Sequence, residues 1–215
     1  MYMYKILKLP QITVANYHNI SEAKLTSETM RAFTMMGLAG VATAATWECP
    51  SSPATFHASA KVEATFDGTA CDVIVTEMKA RMASQGGWKD PHNGGTYNLK
   101  SEGTNPTTLE ASRTTANGQY TDQLGIVFEE YGASSSNGAG CAVYGCSVSQ
   151  VTSFMDYSTN FCNIHDLYCG TADGCAVVKS DLTYKEAAMP SLGAGSDKNA
   201  CIGKASFFPF NVAGA

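Results

Sequence analysis

T-L-E-A-S-R-T-T-A-N-G-Q-Y-T-D-Q-L-G-I-V-F, residues 108–128, decides the fold class. Asn117-Gly118 between two alternating runs is a strong hairpin signal, because a two-residue turn there needs positive φ at both positions. Thr107–Thr115 reads as one strand and Gln119–Glu130 as its return, with Tyr120, Asp122, Leu124, Ile126 and Phe128 on one face. With Ala116 opposite Gln119, Arg113 falls directly opposite Asp122. The two read as a cross-strand ion pair. They also share parity with Leu109, Tyr120 and Leu124, which directs them at the core or a cleft and makes them candidate binding residues.

Upstream of this hairpin, residues 56–66 alternate, with Phe56, Ala58, Ala60, Val62, Ala64 and Phe66 apolar, as a half-buried strand requires. Asp67-Gly68 turns the chain. Thr69 and Asp72 resemble a capping box, and Cys71, Ile74, Val75, Met78 and Met82 share a face of a helix over 70–85. Glu77, Lys79 and Arg81 are expected on its solvated face, and Gly86-Gly87 ends it. Thr96–Lys100 adds a strand. Strand, helix and antiparallel meander together predict an α+β fold, an antiparallel sheet curled around one helix, with the topology of a cystatin or monellin roll.

Downstream, Ala133–Gly140 is a Ser/Gly-rich loop and Cys141–Cys146 a tight corner. Ser147 with Gln150 is a second capping box. A disulfide-stapled helical segment over 146–170 is expected to close one side of the sheet. Cys175–Glu186 alternates weakly and suggests a further strand. From Met189 the tail reads as loop, pinned by Cys201.

The N-terminal part has a different character. Met30-Arg31, an apolar run of about 12 residues and the small-residue site Ala42-Thr43-Ala44 describe a secretory signal peptide over 30–44, preceded by an extension over 1–29. The run is too short for the ~20 residues that span a bilayer, so no transmembrane segment is expected. A single disulfide-rich domain, 45–215, then follows. All eight cysteines lie in it: Cys49, Cys71, Cys141, Cys146, Cys162, Cys169, Cys175 and Cys201. An even count behind a leader implies four disulfides and a secreted, extracellular or lumenal protein. No C-x-x-C pair occurs, which argues against a zinc site. Were 162–169 helical, Cys162 and Cys169 would lie about 10 Å apart along the axis, too far to pair with each other. From residue 45 on, 10 Lys and Arg face 17 Asp and Glu, a balance that excludes nucleic acid and anionic membranes as partners.

Trp88-Lys89-Asp90-Pro91-His92-Asn93-Gly94-Gly95-Thr96-Tyr97 joins helix to strand. Pro91 and the two glycines build a tight turn. Trp88, Asp90, His92 and Asn93 are candidate binding residues, the aromatic supplying area and the polar groups direction. A metal there would lack a third and fourth ligand, so no cofactor is expected.

Phe161-Cys162-Asn163-Ile164-His165-Asp166-Leu167-Tyr168-Cys169 resembles the helix signature of secreted phospholipase A2 over about nine residues. That resemblance implies His165 as general base and Asp166 as a calcium ligand. Tyr168-Cys169 stands in the reverse of the family's order, and Ser147-Val148-Ser149 occupies the place of the calcium-loop glycines. A cystatin-like protease inhibitor is the remaining alternative, on topology alone, since the family's Gln-x-Val-x-Gly loop is missing. Finally, the blocks at 88–97, 113–122 and 146–163 resemble a group of secreted cysteine-rich proteins of unicellular algae and water moulds. This implies export and disulfides, and no particular chemistry. The leading expectation is therefore a binding or interaction module for an extracellular ligand or protein, with no catalytic residues.

Overall fold

The structure, a computed structural model, describes residues 47–104, 107–132 and 139–203. The signal peptide expected over 30–44 and the extension expected over 1–29 lie outside these residues. In chain order the elements are β1 (Ser59–Phe66), α1 (Cys71–Met82), β2 (Thr96–Thr104), β3 (Thr107–Thr114), β4 (Thr121–Tyr131), β5 (Gly140–Ser149), α2 (Thr159–His165), β6 (Lys185–Pro190) and α3 (Lys198–Cys201). The six strands form one sheet in the order β2-β3-β4-β5-β1-β6, every pair antiparallel. The fold is thus α+β.

The hairpin lies in the expected register, with Arg113 opposite Asp122. Its tip is longer than two residues. Thr115 N–H donates to the Tyr120 carbonyl and Gly118 N–H to the Thr115 carbonyl, and at the tip only Gly118 takes positive φ. The alternation on both strands fixes the pairing whatever the turn type.

One face of the sheet carries the core. Val62, Ala64 and Phe66 of β1, Leu109 and Ala111 of β3, Leu124, Ile126 and Phe128 of β4, and Val143 of β5 pack with Ile74 and Met78 of α1 and Phe161 and Ile164 of α2. Fully burying such side chains stabilises by about 1.5–3 kcal/mol each. Gly145 sits where α2 crosses β5. A Cβ there would lie 2.5 Å from Ile164 Cγ2, so glycine is what lets the helix approach the strand. On the opposite face, Cys49 is bonded to Cys146, Pro50 lies over Gly125, and Lys61 sits above the Trp47 ring.

Several local expectations are overturned. Residues 141–149 are neither corner nor helix start but the central strand β5, paired on both edges. Of the segment 146–170 only Thr159–His165 is α-helical. No side chain caps α1, whose N-cap is Ala70. The last strand begins at Lys185, later than the weak alternation suggested. Glu77 and Arg81 are fully buried rather than solvated. The cause is a segment from far along the chain: Glu77 accepts backbone N–H bonds from Val178, Lys179 and Ser180 and a 2.7 Å bond from Arg81 Nε. Both sides of α1 are therefore covered.

The cysteines form four disulfides: Cys49–Cys146, Cys71–Cys141, Cys162–Cys201 and Cys169–Cys175. The first two tie the N-terminal segment and α1 to β5, and the third ties α2 to α3. No helix among the described residues is long and apolar enough to cross a membrane.

Candidate functional site

The inward face of the sheet changes character along its strands. Beneath α1 it is apolar. At the other end it presents Arg113, Asp122, Ser147 and Ser149, all buried. Over this polar end lie the 88–97 loop and α2. A buried polar group is costly unless paired, so the hydrogen bonds here determine the local structure.

Arg113 organises the first half. Its Nε donates to Asp90 Oδ2 at 2.8 Å, and its Nη2 to Asp90 Oδ1 at 2.9 Å and Asn93 Oδ1 at 2.6 Å. The side chains of Arg113 and Asp90 are fully buried. Asp90 Oδ1 also accepts the N–H groups of His92 and Asn93, and the Tyr97 hydroxyl lies 3.2 Å from Oδ2. Burial alone raises the Asp90 carboxyl, but the Arg113 fork and these donors outweigh it and hold the group below its ordinary range. The double glycine has two separate duties. Gly94 adopts φ +69°, and a Cβ on Gly95 would fall 2.5 Å from Arg113 Cζ. The guanidinium is thus packed directly on backbone.

The cross-strand ion pair is replaced by this longer-range clamp. Arg113 turns to Asp90, while Asp122 Oδ2 accepts Asn163 Nδ2 at 2.7 Å. Burial raises the Asp122 carboxyl, opposed by its bonds from Asn163 and Ser149. Asn163 also donates to Ser147 Oγ, which donates to Asn160 Oδ1.

The loop residues now separate by role. Trp88 is buried, with its indole N–H on the Ala176 carbonyl. Asp90 is the clamp. His92 is half-buried, with Nδ1 donating to the Ala200 carbonyl and Nε2 3.1 Å from Thr159 Oγ1. Asn93 is exposed and lines a groove that also reaches Asp122.

That groove, about 510 Å³, runs between the hairpin tip and residues 151–157. Its floor is polar: Asn93, Asp122, Ser149, Asp156 and Thr159. Its rim carries Tyr120, Met155 and Tyr157, respectively 51%, 62% and 75% exposed. Tyr157 and Ser158 both hold positive φ, +51° and +70°, unusual for non-glycine residues. Such conformations cost on the order of 1–3 kcal/mol each and persist where surroundings enforce them. Asp156 is the enforcer. Its Oδ1 accepts Ser158 and Gly195 N–H, and its Oδ2 accepts Asn160 N–H and Nδ2. Composition and periodicity do not reveal this rim. The signal available was local: in Asp156-Tyr157-Ser158-Thr159-Asn160, an aspartate preceding a helix can take the N–H groups that follow it.

His165 and Asp166 occupy a different place. Both are fully buried. His165 Nδ1 bonds Glu186 Oε2 at 3.0 Å, and its ring stacks on Phe161. Glu186 also accepts the Tyr168 hydroxyl, and the Lys198 ammonium lies 2.9 Å from its Oε1. Neither Asp166 oxygen has a hydrogen-bond partner among the described residues. Burial, reinforced by Asp90, pushes its carboxyl well above the usual range. A general base must reach the substrate's proton. The buried ring of His165 does not face the groove.

Burial raises the Glu186 carboxyl, but the bond and charge of His165, then Tyr168 and Lys198, bring it down to about 2 from an ordinary 4.5. A depressed carboxyl stabilises the fold above its unfolded value and loses that contribution as pH falls from about 4.5 to 2. Glu186→Gln is therefore expected to lower stability at pH 7 by about 3 kcal/mol. It should also flatten the acid limb between those limits. Urea unfolding of both proteins at pH 7 and pH 3 measures the two effects.

Comparison with protein-family models, with curated proteins and with solved structures returns no match. The functional reading accordingly rests on the chain's own chemistry.

Proposed function

We propose that the chain is an exported, disulfide-stabilised binding module whose ligand seat is the groove between the hairpin tip and residues 151–157. The observation that carries this is the rim. Exposed tyrosine rings stand beside a backbone held in a strained conformation by a fully engaged carboxylate, above a floor of directional polar groups. Aromatic faces supply contact area, and convergent polar groups supply orientation. The acidic balance disfavours anionic ligands. A neutral saccharide, with an apolar ring face and an edge of hydroxyls, matches both parts. A second depression, beside α1, is lined by the exposed Lys79–Glu102 ion pair and Asp72 and offers no comparable rim.

In this reading the 88–97 loop contributes Asn93 to the seat, and Arg113 acts by fixing Asn93. Export, expected from the leader, agrees with four disulfides. A glycan array with the oxidised protein, followed by calorimetric titration of its hits, tests the function. Binding is expected to weaken tenfold or more in Tyr157→Ala, corresponding to about 1.4 kcal/mol, with unchanged thermal stability. No hit on the array, or equal affinity in Tyr157→Ala and Tyr120→Ala, contradicts it.

A further inference from the structure

We propose that His165, Asp166, Cys169 and Cys175 form a redox-gated metal site, closed while the two cysteines are crosslinked and able to hold zinc once a dithiol has reduced them. One ligand atom from each of the four residues lies within 4.8 Å of the others, and all four residues are buried. Two of the residues already lack what a buried polar group needs. His165 Nε2 and both Asp166 oxygens have no partner among the described residues. An unpaired buried donor or acceptor is costly, so three of them on two residues of one cluster indicate a missing ligand.

The surroundings match a metal's outer shell. Histidines that bind metals through one ring nitrogen usually give the other to a carboxylate, which fixes tautomer and orientation. His165 does this through Nδ1 and Glu186, which leaves Nε2 as its buried, unpartnered ring nitrogen. Glu186 is itself held by Tyr168 and Lys198. On the sulfur side, Arg81 Nη1 lies 3.7 Å from Cys169 Sγ, placed to stabilise a thiolate. One nitrogen, one carboxylate and two thiolates make a four-coordinate set suited to zinc. Two thiolates and a carboxylate exceed the dication by one negative charge, and the Arg81 guanidinium faces that excess.

The disulfide decides which state exists. Cys169–Cys175 spans a sequence separation of 6, against 97, 70 and 39 for the others, so opening it releases the least chain. In the opening step a dithiol gives two electrons and two protons to the protein disulfide, yielding two cysteine thiols and the cyclic disulfide of the reductant. Zinc then displaces the two thiol protons. Crosslink and metal exclude each other, because the same sulfurs serve both. The absence of a C-x-x-C pair hides the site from the sequence, since its ligands come from one turn of α2's end and a loop.

Graded reduction of the full oxidised chain with a dithiol, with thiols mapped by mass spectrometry, isolates the species in which only Cys169–Cys175 is open. Anaerobic titration of that species with Co²⁺ is expected to give thiolate-to-cobalt charge-transfer bands and the intense visible bands of tetrahedral cobalt, both removed by Zn²⁺. Asp166→Asn and Glu186→Gln should each weaken metal binding tenfold or more, the latter as a positioning residue; these two variants carry the test should His165→Ala fail to fold. Absence of the bands, equal affinity in both variants, or opening of Cys169–Cys175 only with loss of the near-UV circular dichroism overturns the proposal.

Discussion

Arg113→Met is expected to destabilise the protein by about 3–5 kcal/mol, the range for removing one partner of a buried ion pair. Three consequences follow from the same substitution. Asp90 loses both bonds of the fork, Asn93 loses its anchor, and the surface that packs on Gly95 disappears. Asp90 is left buried, with only N–H groups and a tyrosine hydroxyl to offset its charge. Arg113→Lys is expected to rescue little, because a single ammonium cannot bond both Asp90 oxygens and Asn93. Against a typical total stability of about 5–15 kcal/mol, the loss is large enough to unfold a marginal domain. Guanidinium unfolding measures it, and a double-mutant cycle with Asp90→Asn gives the coupling. A loss below about 1 kcal/mol in Arg113→Met would mean that the clamp does not hold the loop.

Glu77→Gln is expected to have an effect of similar size, about 3–5 kcal/mol, from a buried carboxylate of opposite function. Glu77 receives three consecutive backbone N–H groups and the Arg81 guanidinium. Burial raises its carboxyl, and these donors together hold it below its ordinary range. The amide keeps the shape but turns one acceptor into a donor, which then faces N–H groups or the guanidinium. The segment 178–180 should come off α1 before the sheet opens. Hydrogen exchange at Val178, Lys179 and Ser180 is expected to quicken more than exchange in β4 and β5. Equal protection in variant and parent would show that the segment is held by something else.

These two residues also mark where the sequence was legible. The Arg113–Asp122 register follows from Asn117-Gly118 and from strict alternation, both local signals, and it survives a different turn. That the guanidinium bonds Asp90 instead depends on a loop 23 positions away folding back over the sheet. No periodicity encodes that. Glu77 and Arg81 fall on the polar side of a helical wheel, which cannot register a strand of chain some hundred residues later covering that side. β5 was hidden for another reason. Its inward positions include Gly145, Ser147 and Ser149, small or polar because α2 presses on them and the polar network passes through them. A central strand without a clear apolar alternation reads as turn. The candidate residues of the 88–97 loop were visible as an unusual composition, yet only Asn93 reaches the groove. The rim residues Met155 and Tyr157 fell inside the segment 146–170 that was expected to be helical.

The central claim is that the polar end of the sheet was built to carry a ligand seat beside the hairpin tip. The most direct test is a residue-resolved amide chemical-shift map of the oxidised protein, titrated with neutral oligosaccharides bound on the array. The account predicts shifts concentrated at Asn93, Thr115–Tyr120 and Val151–Thr159, with Lys79 and Glu102 unmoved. Shifts clustered beside α1 instead, with the hairpin tip and Tyr157 unchanged at saturation, would contradict it.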